Sequence, residues 1–266
     1  MLKVSQTKKG KLKKPNRGRR ILLTLVGLVI ALVLYLLVGY WWMGFNARRA
    51  GLVDWASPYT ETIQGSGRGT LTVTVLGDST AIGAGTSARQ QTFGYQAIRD
   101  SLVAKYGSVN YINRAVSGAK VQEVVDNQLP ATLQDKPDLV FISIGANDVT
   151  GGTSPEKYQA SLRSLLDRLT QQTQARIVLL GIPAIYSAPI LLPLYPQLID
   201  IFTHRLIETQ NKLVAAYPSG RILPVDIYNT TGPIFSRQPE LFAADGYHPN
   251  DRGYAVWAKE VEKVLS

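Results

Sequence analysis

Residues 21 to 43, ILLTLVGLVIALVLYLLVGYWWM, run for 23 positions without a charge. At about 1.5 Å per residue, a helix of that length crosses a hydrocarbon layer roughly 30 Å thick. No face of it is polar, which does not suit a half-buried helix of a soluble core. Tyr40, Trp41 and Trp42 close the run, and aromatic rings favour the headgroup layer. A cleaved signal peptide would carry an apolar region of about 7 to 15 residues followed by a small-x-small site. This run is longer and ends in bulky rings. The sequence therefore predicts one uncleaved transmembrane helix, with the bilayer as a partner through residues 21–43.

Charge is distributed to match. Residues 1–20 hold nine Lys or Arg and no acid, and Arg48 and Arg49 follow the apolar run. That asymmetry predicts a single-pass protein of the cell membrane, with a basic cytoplasmic tail at 1–20 and everything from residue 44 outside the cytoplasm. The net charge of +10 at first suggests a nucleic-acid partner. After residue 50, however, eighteen bases face nineteen acids, so the folded part is nearly neutral and no nucleic acid is expected. With no Cys in the chain, disulfides and thiolate chemistry are excluded, and the compartment is left open.

Residues 44–69 read as a linker, flexible by composition at GSGRG (65–69). Residues 70–266 read as one domain. Short apolar stretches at 71–76, 109–112, 138–144, 176–181 and 221–225 suit strands, and helical patterns lie near 93–106, 120–129, 155–173, 197–216 and 251–264. Such alternation predicts an α/β fold, a mostly parallel sheet covered by helices on both faces. Ligands of such sheets bind beyond the C-terminal strand ends, where Gly77-Asp78-Ser79, Ser117-Gly118 and Gly145-Ala146-Asn147-Asp148 all fall.

A serine hydroxyl becomes a nucleophile only when a base takes its proton and a third group orients that base. The chain has two histidines. His204 sits in a helical pattern and suits a surface or packed position. His248 sits in ADGYHPN, where Asp245, three residues earlier, can reach Nδ1 and leave Nε2 facing a hydroxyl. Ser79 could also serve as a helix N-cap, and Asp245 as a plain turn residue.

Four blocks in order, GDST with Ser79, SGAK with Gly118, GAND with Asn147 and DGYHPN with Asp245 and His248, resemble those of the SGNH/GDSL family of esterases and lipases. The likeness covers most of residues 71–255. It implies a three-layer α/β/α sandwich around a five-stranded sheet in flavodoxin-like order. It implies Ser79 as nucleophile, His248 as general base and acid, Asp245 as its orienting partner, and no metal or organic cofactor. It also implies an oxyanion hole built from the Ser79 and Gly118 N–H groups and the Asn147 amide. Loss of one such donor typically costs about 3 kcal/mol of barrier. Asp78 and Asp148 suit supporting roles, bonding local backbone or holding Asn147. Thr80 stands where the family usually has Leu, which touches only subfamily placement. Asn113 and Arg114 lie near enough to line the site. The apolar, proline-bearing segment 183–202 suits core packing, an acyl-chain wall or a surface leaning on the bilayer.

The expected substrate is a carboxylic ester, either a lipid ester such as a lysophospholipid or an O-acetyl group on an envelope glycan. An acyltransferase using the same acyl-enzyme and a non-catalytic anchored binding module are the alternatives.

Overall fold

The computed structural model describes residues 17–52, 55–218 and 220–266, so residues 1–16 of the basic tail lie outside the described residues. The chain divides into two units that meet at Gly44–Phe45. In the first, the apolar run forms most of α1 (Arg17–Arg49), a 33-residue helix with mean hydropathy 3.1 over its most apolar window. Helical structure thus extends beyond 21–43 at both ends. A helix of this length and composition suits a membrane span, and one placed so early in a chain equally suits a signal sequence.

The second unit is built on β1 (Tyr59–Gln64), β2 (Thr70–Gly77), β3 (Ser108–Asn113), β4 (Leu139–Ser143), β5 (Arg176–Leu180) and β6 (Ile222–Val225). Their order is β1-β3-β2-β4-β5-β6, and every neighbouring pair is parallel except β1 with β3. Without β1 this is the expected five-stranded order. The sixth strand corrects the expectation of a linker at 44–69. In YTETIQ only Tyr59 and Ile63 are buried, a half-wet edge pattern too short to stand out beside its polar neighbours. The glycine-rich stretch after it is not a loose tether either. The N–H groups of Gly65, Ser66 and Gly67 donate to Gly107, Val103 and Tyr106 carbonyls. A Cβ at Gly65 would lie 2.1 Å from the Tyr106 oxygen, so glycine serves close approach there.

Helices close both faces. In β4, Leu139 and Phe141 enter one core and Val140 and Ile142 the other, the two-residue period of a strand covered on both sides. The first core takes Phe93 and Ala97 from α3 (Phe93–Ser101) and Trp257 and Val261 from α10 (Asp251–Leu265), and the second takes Leu162, Leu165, Leu166 and Leu169 from α7 (Pro155–Gln172). The helices in order are α2 (Ser79–Ile82), α3 (Phe93–Ser101), α4 (Val121–Glu123), α5 (Leu129–Asp135), α6 (Ala146–Thr150), α7 (Pro155–Gln172), α8 (Tyr195–Val214), α9 (Ile227–Arg237) and α10 (Asp251–Leu265). The single helix expected near 120–129 is instead broken by a wide turn at Val124–Gln128. Pro130 gives the reason: it has no N–H to offer Asp126, and its ring crowds that carbonyl.

Phe141 is fully buried, its ring 6.2 Å from that of Phe93 and nearly edge-on. Phe141→Ala should cost about 3–5 kcal/mol of stability, read as a lower denaturant midpoint at unchanged slope.

Candidate active site

At the C-terminal edge of the sheet the loops after β2, β3 and β4 are tied to one another. β2 ends at Gly77, whose φ is 140° and where a Cβ would lie 1.9 Å from the Ser143 oxygen, so no other residue fits. The Asp78 N–H donates to that same oxygen at 3.1 Å, and the Val116 N–H donates to the Gly77 carbonyl at 3.0 Å. From α6, the Asn147 amide donates to the Ala119 carbonyl at 3.2 Å and to Asp78 Oδ2 at 3.4 Å. Three strand ends become one rigid rim.

Asp78, not Ser79, caps α2. Its Oδ1 accepts from the Thr80 N–H at 2.9 Å and the Thr80 hydroxyl at 2.7 Å. Ser79 is left as the first residue of the helix, with an N–H that has no intrahelical acceptor. Thr80 also meets the Ser143 hydroxyl at 2.7 Å, a tie that a leucine could not make.

The last loop comes from 169 residues away to reach Ser79. Asp245 Oδ1 accepts the Tyr247 and His248 N–H groups, each at 3.0 Å, which fixes the loop and the carboxylate together. Its Oδ2 lies 2.6 Å from His248 Nδ1. With the Nδ1 proton directed there, Nε2 accepts the Ser79 hydroxyl at 2.8 Å. Burial pushes the Asp245 carboxyl up, but the His248 ring, its charge and the two backbone N–H groups together outweigh burial and hold it below its ordinary value. The acid thus stays ionised beside the imidazole.

Asp78 behaves in the opposite way. Burial raises it from 3.8 to about 6, against the Thr80 bonds and the charge of His248. The folded protein therefore holds this proton more tightly than the unfolded chain. The group's contribution to stability is complete below about pH 4 and is lost as pH rises through about 6. The gap between the two values corresponds to about 3 kcal/mol. Asp78→Asn should remove that loss: comparing unfolding free energies at pH 4 and pH 8, the variant should gain about 3 kcal/mol on the parent across the interval. An identical pH dependence in both proteins would refute the assignment.

Around this chain lie supporting contacts. Asp148 Oδ2 accepts the Val121 N–H at 3.1 Å, and burial raises its carboxyl above the ordinary value. Gly118 has a φ of 81°, and a Cβ there would meet nothing within 4 Å. Asn113 donates to the Ala81 carbonyl at 2.9 Å and so props α2 from below, while Arg114 turns away to a paired contact with Asp135 at 2.6 and 2.5 Å. His204 does not join Ser79; it lies on α8, 3.0 Å from the Tyr228 hydroxyl.

One contributor escaped sequence reasoning. Gln128, buried, bonds both the N–H and the carbonyl of Gly77 at 2.9 and 2.8 Å, as a paired strand would. The wide turn before Pro130 is what aims it. A polar residue beside Leu129 on an apolar face was the only signal. Beside His248 lies a largely apolar cavity of about 30 Å³, lined in part by Thr80, Ala146, Pro183, Ala188, Tyr247 and Trp257. Among the described residues no group of three or more His, Cys, Asp or Glu is arranged to hold a metal.

A model of the GDSL-like Lipase/Acylhydrolase family matches residues 75–256. The chain is 28% identical over 194 residues to a GDSL-like esterase of Mycobacterium tuberculosis, covering 69% of this chain and 58% of that protein. It therefore spans less than two thirds of that relative's length. It is 29% identical over 183 residues to esterase TesA of Pseudomonas aeruginosa, covering 67% of this chain and 79% of the relative. The solved lipase/acylhydrolase of Enterococcus faecalis shares the fold with a TM-score of 0.59 at 19% identity, over 73% of this chain and 94% of that one.

Proposed function

This chain belongs to the GDSL-like lipase and acylhydrolase family and is an ester-hydrolysing enzyme, and on that premise we propose that Ser79, His248 and Asp245 carry its chemistry. The observation that carries the proposal is the unbroken line from the Ser79 hydroxyl through both ring nitrogens to a buried, ionised carboxylate. Ser79 Oγ attacks the ester carbonyl as its proton passes to His248 Nε2. Asp245 keeps the ring in the tautomer that can accept that proton and stabilises the imidazolium that results. Negative charge then collects on the former carbonyl oxygen. The Ser79 and Gly118 N–H groups are the neutral donors offered to it, and the Asn147 amide joins them by exchanging its longer 3.4 Å contact with Asp78 for the oxyanion while Ala119 keeps it from turning. His248 returns the proton to the departing alcohol, and a water activated by the same nitrogen releases the acid from Ser79.

The enzyme is held at a cell membrane by the apolar helix, with the basic residues on the cytoplasmic side and the α/β unit outside. The length of α1, its aromatic end and the bases ahead of it support this placement. The α/β domain begins at β1 rather than at residue 70. Lipid esters and acylated envelope glycans are the substrate classes that such a position brings within reach.

A fluorophosphonate probe tests the nucleophile. It should label one peptide, at Ser79, and a label elsewhere or none would overturn the assignment. p-Nitrophenyl esters from acetate to palmitate then separate the substrate classes. Rates that rise with chain length select lipid esters, and cleavage confined to acetate and butyrate selects acetylated glycans.

A further inference from the structure

In the α/β unit, large apolar side chains are exposed chiefly at one place: Leu194, Leu198, Ile201 and Phe202 are 51%, 40%, 52% and 49% accessible. Their spacing puts them on one face of the first two turns of α8. Arg205, one turn further, holds its guanidinium 5.9 Å from the centre of the Phe202 ring. Asp200, within the same stretch, is occupied by the Tyr228 hydroxyl. Leu194 caps the helix at a φ of 74°, a conformation that strains a leucine, yet its side chain lies in solvent.

The patch follows in the chain directly after a segment that borders the site. The segment leading into α8 is pinned to the histidine loop where the Ile190 N–H donates to the Gly246 carbonyl at 3.1 Å. Ile185 and Ala188 of the same segment line the cavity beside His248. An apolar helix end bordered by an arginine suits an element that lies in the headgroup boundary of a bilayer. Chain length supplies the occupant. Nine residues separate the last residue of α1 from the first of β1, a reach of at most roughly 35 Å.

We infer that the first two turns of α8 form a bilayer-docking surface that seats the active-site rim against the lipid headgroups, where the enzyme meets its ester. This rests on the proposed membrane attachment and refines the substrate to an ester presented at the lipid surface.

The chain has no cysteine, so single labels are clean. Full-length Leu198→Cys, Ile201→Cys and, as an exposed reference on α10, Lys259→Cys would be labelled with a fluorophore and reconstituted into phosphatidylcholine–phosphatidylglycerol vesicles. Positions 198 and 201 should be quenched by nitroxide lipids and protected from aqueous iodide, with 259 showing the reverse. Behaviour like that of 259 would overturn the inference. So would protection from iodide without lipid quenching, which would give the face to a second protein. The combined Leu198→Ser, Ile201→Ser and Phe202→Ser variant should raise the apparent KM for a vesicle-borne long-chain ester about tenfold, while kcat/KM for soluble p-nitrophenyl acetate stays within about twofold. An unchanged vesicle KM counts against it. Protein extracted by alkaline carbonate fails the attachment itself. Protein that stays bound while its α8 labels face iodide fails only the docking surface.

Discussion

Ser79→Ala should lower kcat on p-nitrophenyl acetate by about 10⁴- to 10⁶-fold while leaving the protein folded. The large factor follows from what the hydroxyl does. Without Oγ no acyl-enzyme forms, and the remaining donors can only assist direct attack by water. The fold should not notice the change. Asp78 provides the cap of α2, and the Ser79 side chain bonds only the ring of His248 among the contacts described above. An intact unfolding transition with rate loss is therefore the expected pair of results. A variant that retains a tenth of the activity would remove Ser79 from the chemistry.

Asp245→Asn should cost about 10⁴ in kcat with almost no change in KM, for a reason visible in the loop. The two backbone N–H groups of Tyr247 and His248 claim one oxygen of residue 245 at 3.0 Å. An asparagine must give them its only oxygen. Its NH₂ then faces Nδ1, which must accept rather than donate, and the proton moves to Nε2. That nitrogen can no longer take the Ser79 proton. The wrong tautomer, not a lost contact, is the damage. Imidazole NMR should show the proton exchanged between the two nitrogens, and activity near that of the parent would sink the orienting role.

Much of this was legible in the chain before any coordinates. The strands at 71–76, 109–112, 138–144, 176–181 and 221–225 announce themselves as short apolar runs because both faces of a covered parallel sheet are dry. α7 and α10 do so by their periodicity. The remainder hides for identifiable reasons. β1 has two buried residues in six and joins the sheet by pairing with a strand some fifty positions away. α9 contains Thr230, Thr231, Gly232 and Pro233, poor helix formers that local preference rejects; the Asp226 cap and burial of Ile227 and Phe235 hold it. At the site, the blocks named residues but not their ties. A lone polar residue on an apolar face marks Gln128, but its partner, the backbone of Gly77, lies 51 residues earlier and leaves no local trace. Nor does Thr80 announce that it joins Asp78 to Ser143.

The sheet ends sideways in two quite different strands. On one flank β6 is four residues long and contains Pro224, which has no N–H to present to a newcomer. On the other, β1 is short, carries Glu61 and runs against the direction of the rest. Held at a membrane as proposed above, the protein would meet its own copies far more often than one diluted in a volume. Blunted borders of this kind would keep crowded neighbours from stitching their sheets together into a fibre.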